Sequence, residues 1–304
     1  MMKKFLKQLL IFSILPIAVF IITSIIYADG FIDPFYLRFT TPKQQNLIIG
    51  SSRAAQGIVP QILKKNFKKD FYNYSFTISH SPYGEAYYNS IVKKLDKKTK
   101  NGIFIIAVDP FSITSHHDKD GKESFVNEKM LNEQLTVSMN PNVEFIVKNG
   151  LSPWRAIFTH HRTVKNDITF LHNDGWLEVK YPWTEERYKE NLEGKIRDYR
   201  KDQMKRKLST HRIQYLEKTI QFLQKHGTVY LVRIPTAKEM YDLENDLLPN
   251  FNTLIQRMAD QNKVRYIDCS KDFSIYQTTD GNHLFHPSGK KFTQALCDSI
   301  AGVK

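Results

Sequence analysis

The sequence predicts an α/β fold, a doubly wound parallel sheet behind an apolar N-terminal segment, and three observations predict it. Short runs rich in β-branched and aromatic residues alternate with stretches of helical period. Residues 103–108 and 229–232 are nearly continuous in apolar side chains, as suits strands buried on both faces of a parallel sheet. The helical stretches carry recognisable ends, such as Pro60 at a first helical position.

Taken in order, the chain opens with Lys3, Lys4 and Lys7, and residues 9–28 then carry no charge. About 20 apolar residues cross a bilayer core, so 9–28 reads as a transmembrane anchor. Cations precede the run while Asp29 and Asp33 follow it, which puts residues 1–8 in the cytoplasm and the remainder outside. Signal-peptide cores are shorter, about 7–15 residues, and Ile26-Tyr27 before Ala28 is a poor cleavage pattern, so a cleaved signal is the weaker alternative. Residues 29–45 read as a linker without a clear period. Strands are expected at 47–49, 71–76, 103–108, 229–232 and 264–267. Helices are expected from Pro60 to about residue 69, at 87–95, at 251–258 and at 287–300. Another starts at Ser209 or Thr210, where Ile213, Leu216, Ile220 and Leu223 repeat and Gly227 closes the pattern.

The stretch from about 111 to 208 is too long for one crossover. It holds a candidate strand at 176–179 and a helix from Thr184 to about Lys207 that alternates Glu with Lys and Arg, a solvated pattern. It is read as a largely helical insertion over one edge of the sheet, within a domain spanning 46–304.

Composition narrows the function classes. Hydrophobic residues make up 41% and charged residues 25%, which argues for a packed core rather than disorder. The net charge is +13, yet no basic motif is interleaved with aromatics, so no nucleic acid is expected as a partner. A lysine-rich solvated surface accounts for the charge; an anionic surface or polymer is what it would otherwise favour. Cys269 and Cys297 do not make a disulfide framework. They read as two buried thiols, a bridge between them staying open in an oxidising compartment. No cofactor is expected, and no metal: His116-His117-Asp118 and His160-His161 lack helical ligand spacing. Asp118-Lys119-Asp120-Gly121 reads as a turn rather than a calcium loop. Trp154, Trp176 and Trp183 fall in the insertion, where packing is the default and stacking on sugar rings the alternative.

The chemistry sits at the two ends of the domain. The first strand runs into Gly50-Ser51-Ser52-Arg53, and Gly57 follows. Open α/β sheets bind ligands outside the carboxyl ends of their strands, so Ser52 stands where a nucleophile can meet a substrate. A serine hydroxyl needs a base. Thr279-Asp280-Gly281-Asn282-His283-Leu284 offers one, because one turn can fold Asp280 back onto imidazole Nδ1 and leave Nε2 facing the serine. Ser52, Asp280 and His283 are therefore the expected catalytic residues. His286 is a rival base without a carboxylate three residues before it.

With a serine ending the first strand and Asp-x-x-His just before the last helix, the chain resembles the SGNH/GDSL hydrolases. More narrowly it is similar to their membrane-anchored bacterial members linked to cell-envelope or exopolysaccharide acyl modification. The resemblance covers roughly residues 45–110 and 228–300. It implies a flavodoxin-like three-layer sandwich, Ser52 as nucleophile with Ser51 in the usual Asp position, His283 as base and Asp280 as its orienter. The Ser52 backbone amide would be one oxyanion donor. The sequence departs from the family at the others. Ser79 is the better positional match to the second-block glycine, Gly84 being displaced, and Val108-Asp109-Pro110 stands where Gly-x-Asn is expected. One missing donor can cost about 2.7–4 kcal/mol of transition-state stabilisation. Asn73, Asn89 and Arg53 are the available substitutes, with Arg53 and Asn89 also candidates for substrate binding.

The implied function is a serine-dependent esterase or O-acyltransferase acting on an acylated extracytoplasmic glycan or cell-envelope polymer. A membrane acyltransferase is a candidate partner. The alternative is a non-catalytic SGNH-like envelope assembly or polymer-binding protein.

Overall fold

The computed structural model describes residues 1–31, 33–124, 131, 134–149 and 168–302. Helix α1 (Met2–Tyr27) is long and apolar enough to cross a membrane, and of its side chains Thr23 and Tyr27 are buried. Then follow α2 (Tyr36–Thr40), β1 (Leu47–Ile49), α3 (Ser52–Gly57), α4 (Pro60–Phe67), β2 (Tyr72–Asn73), α5 (Glu85–Lys94) and β3 (Gly102–Ala107). A 3-10 turn (Pro110–Ile113) leads into β4 (Thr114–His117), β5 (Glu123–Ser124), α6 (Val143–Asn149), β6 (Ile168–Leu171) and β7 (Leu177–Lys180). The long α7 (Glu185–Gln203) and β8 (Arg206–Leu208) complete that middle stretch. The domain closes with α8 (Thr210–Gln224), β9 (Gly227–Arg233), α9 (Lys238–Leu247), α10 (Phe251–Asn262), β10 (Arg265–Asp268) and α11 (His286–Ala301).

Five strands form the central parallel sheet in the order β10-β9-β3-β1-β2. Successive strand residues face opposite sides, and the core divides accordingly. Leu47, Ile49, Phe104, Ile106, Val229 and Leu231 meet α5, α8 and α10 on one face. Ile48, Ile105, Ala107, Val232 and Ile267 meet α4 and α11 on the other. The result is an α/β sandwich of three layers, as expected. The strand order reverses between β1 and β3, and in such sheets the crevice at that reversal is the ligand site.

Several expectations need correcting. Residues 29–45 are not a bare linker: Tyr36 and Phe39 of α2 join Tyr27 in the core, because aromatic spacing outweighs the turn residues around it. Asp33 Oδ1 caps that helix, accepting from the amides of Phe35 (2.8 Å) and Tyr36 (2.7 Å). Arg38 is buried under the Phe76 ring and donates to Gly175 O (2.8 Å); burial lowers it to about 10. Strand β2 is only two residues long, and its Asn73 turns its side chain to the end of α3. Gly227 does not close α8 but begins β9, paired with Gly102.

The insertion is also less helical than expected. Among its described residues, β4 pairs with β5 and β8 in one small antiparallel sheet and β6 pairs with β7 in another, alongside α6 and α7. The expected strand at 176–179 is β7, and α7 starts from Thr184, whose hydroxyl accepts from the Arg187 amide, but ends at Gln203. Trp154 and His160-His161 lie outside the described residues. Cys269 and Cys297 are both free thiols, and burial pushes each up to about 12.

Candidate active site

Strand β1 delivers Gly50-Ser51-Ser52 to the reversal point, and Ser52 is the first residue of α3. The turn between them is tight. A Cβ at Gly50 would stand 2.9 Å from Ala107 Cβ and 3.0 Å from Ala54 Cβ, so the close approach of β3 and α3 needs glycine there. Asn73 holds α3 in place, donating through Nδ2 to Ala54 O (2.8 Å) and Ile58 O (2.9 Å). From the far end of the chain, the loop between β10 and α11 folds back over the same rim, closed by a bridge between Thr278 and Leu284.

There the two pieces meet. Ser52 Oγ lies 2.8 Å from His283 Nε2, and His283 Nδ1 lies 2.9 Å from Asp280 Oδ2. An ionised carboxylate can only accept, so Nδ1 carries the proton and Nε2 accepts from the serine hydroxyl. Asp280 is further held by the amides of Asn282 (3.0 Å) and His283 (2.9 Å) and by Lys195 Nζ at 3.2 Å. Burial alone would raise its carboxyl, but His283, Lys195 and these bonds hold it well below the usual carboxylate range. The line from carboxylate through imidazole to hydroxyl can activate Ser52 as a nucleophile toward a carbonyl carbon.

The other expected residues fall elsewhere. Arg53 is buried beneath the site, not open to a substrate. Its Nε and Nη2 donate to Asn282 Oδ1 at 2.9 and 2.6 Å, and Nη1 pairs with Glu244 at 2.5 Å. Burial would lower Arg53, but the Glu244 and Asp109 charges raise it above its ordinary value. Asn89 is exposed on α5, one turn from Glu85 and on the opposite face from Tyr87 and Ile91, so it does not join the site. Ser79 is exposed in a turn, and Asn73 is committed to α3. Asp109 accepts from Ser51 Oγ (3.3 Å) and the Ser112 amide (2.9 Å), and burial raises its carboxyl. His286 has its imidazole outside this line of contacts.

Four side chains join the site that sequence reasoning passed over. Glu244, on α9, bridges Arg53 and Arg233 (2.8 Å). A sequence signal existed: Met240, Leu243 and Leu247 repeat at helical spacing, and Glu244 is an acid on that stripe. Helix α7 lies over the 278–285 loop, with Lys195 on Asp280 and Tyr181, just before it, donating to Thr279 O at 2.6 Å. Nothing local in the charged α7 sequence marks Lys195 among its neighbours. Asn282, beside the base, completes the set. Among the described residues no cluster of metal-ligating side chains occurs. A groove of about 880 Å³ between α7 and α9, lined by Ile196, Arg200, Met204 and Leu247, includes none of Ser52, Asp280 or His283.

Compared with known proteins, the chain matches no family model, and no curated protein matches it in sequence. Among solved structures, a carbohydrate acetylesterase from Sinorhizobium meliloti aligns at 12% identity and a TM-score of 0.36, over 86% of this chain and 100% of that one. A likeness of that size carries no weight for activity, and the chemistry stands on the geometry alone.

Proposed function

We propose that this chain is a serine-dependent ester hydrolase or O-acyltransferase of SGNH type. The observation that carries it is the unbroken contact from Asp280 through His283 to Ser52, made between residues 231 positions apart in the chain. Ser52 Oγ attacks an ester carbonyl carbon, and its proton passes to His283 Nε2. The tetrahedral adduct collapses as the bond to the alcohol oxygen breaks, with that oxygen taking the proton from Nε2. Water or a sugar hydroxyl then repeats the sequence in reverse on the acyl-serine. Asp280 keeps the imidazole in the tautomer that does this.

The setting supports an acylated glycan or cell-envelope polymer as substrate. Helix α1 would anchor the chain, with the three cations Lys3, Lys4 and Lys7 inside and the domain outside the cytoplasm.

A fluorophosphonate probe tests the reading on the full chain in detergent. Labelling at Ser52, lost in Ser52→Ala together with p-nitrophenyl acetate hydrolysis, is expected. One observation favours a second reading, an SGNH-like domain that binds polymer without turnover: Asp109 is spent on Ser51 and Ser112. Absence of both labelling and hydrolysis would select it.

A further inference from the structure

When Ser52 Oγ adds to an ester carbonyl, the carbonyl π pair moves onto oxygen. That oxyanion needs donors placed in advance, about 2.7–3.1 Å from where it forms. The Ser52 amide is one, and the third strand does not supply a second: Asp109 is a carboxyl facing Ser51 and Ser112. Asn73 Nδ2 already caps α3. We propose that the side-chain amide of Asn282 is the second oxyanion donor, supplied by the loop that also carries the base; this rests on the serine-ester reading above.

The orientation of that amide is fixed. Arg53 has donors only, and its Nε and Nη2 both reach Asn282 Oδ1, so Nδ2 must point the other way. The other way is the reacting centre: Nδ2 is 3.2 Å from His283 Nε2, which is itself 2.8 Å from Ser52 Oγ. Asn282 is 1% exposed and Arg53 is 4% exposed, so the pair is packed in place before substrate arrives. The Glu244 carboxylate, 2.5 Å from Arg53, completes the brace.

In the resting site the single lone pair of Nε2 is engaged by the Ser52 hydroxyl at 2.8 Å, so the Asn282 N–H at 3.2 Å has at most a share of it. Once the Ser52 proton has moved onto that lone pair, Nε2 is an N–H donor and accepts nothing from Asn282, whose N–H is then directed to the oxyanion. On collapse the C–O bond to the leaving alcohol breaks, Nε2 returns its proton to the departing oxygen, and the Asn282 N–H is left beside the imidazole as before. The donor is thus idle in the ground state and engaged in the transition state, which is the differential interaction that accelerates a reaction.

The test uses the full chain in detergent with p-nitrophenyl acetate over a range of pH. Asn282→Asp keeps an acceptor for Arg53 and removes the donor; Asn282→Ala removes both. In each, plateau kcat should fall on the order of 10²–10³-fold with KM little changed. Fluorophosphonate labelling of Ser52 should slow in parallel. Two results overturn the inference while the ester reading stands. One is a wild-type activity that depends on Ser52 beside variants keeping more than about a tenth of plateau kcat. The other is a loss confined to a displaced acid limb of kcat/KM that recovers at higher pH, which would make Asn282 a positioning residue for the imidazole. A wild-type chain that neither hydrolyses the ester nor takes the label removes both.

Discussion

Asp280 receives the Asn282 and His283 amides on Oδ1 and faces the imidazole and Lys195 with Oδ2. Because its folded value lies below its unfolded one, it contributes stability that is present above about pH 4 and lost as the pH falls further. Asp280→Asn should therefore lower Tm at neutral pH, and the gap to the wild type should narrow below about pH 4. Thermal melts across pH check this, and a gap that does not change with pH would contradict it. Arg53→Met should cost about 3 kcal/mol in urea melts, since Glu244 loses one of its two buried cations. The meeting of Ser52 with His283 and Asp280 was expected from two short blocks, a strand-end serine and Asp-x-x-His, that the fold brings to one rim. The places of Arg53 and Asn89 could not be read that way. An arginine after a turn serves a substrate or a buried acid equally well on paper, and the acid here is 191 residues away on α9. Asn89 shares a helix face with Glu85, away from Ala86, Tyr87 and Ile91, and that face is solvent.

Helix α7 makes contact with the 278–285 loop through Lys195, Asn191 and Leu192. Gly281 has φ +80°, and a Cβ there would stand 2.3 Å from Leu192 Cδ1. Gly281→Ala meets both backbone strain and that contact, so a loss of about 1–3 kcal/mol is expected. Amide hydrogen exchange should quicken in α7 as well as in the loop; faster exchange in the loop alone would show that the helix is not held by it. Most elements follow from their period. Strands β1, β3 and β9 carry dense apolar runs, whereas β10 is Arg-Tyr-Ile-Asp and β2 is two residues long, with its Asn73 side chain bonded to the end of α3. The expected solvated face of α7 is real, for none of its residues is buried, yet its inner side still reaches Asp280. Charge alternation reports exposure, not what the occasional inward lysine touches.

At the scale of the molecule, the parallel order β10-β9-β3-β1-β2 brings residues 50 and 283 to one rim. Parallel pairing follows from β/α alternation, and so was legible, whereas the strand order was carried only by the family resemblance; the docking of α1 was not legible, because a twenty-residue apolar run says nothing about its last turn. The Tyr27 ring is fully buried, 5.1 Å from Tyr36 and 5.5 Å edge-on to Phe145. Removing residues 1–19 should leave the domain's stability intact, while removing 1–28, which takes away Phe20 as well as Tyr27, should cost about 3 kcal/mol, read by thermal or urea melts. Equal stability of the two truncated chains would show that the ring is not part of the core.

Just past Tyr27, Gly30 O accepts from the Leu171 amide at 2.7 Å, and the Phe31 ring sits 4.6 Å from Phe170. Stem and body are therefore joined at Tyr27, Gly30 and Phe31 rather than by a free tether. With α1 seated in a bilayer as proposed, these contacts would restrict how far the body bows toward the lipid. On the proposed reading, the height of the rim that carries Ser52 above a bilayer would follow from these contacts, and an ester substrate would have to be delivered to that level.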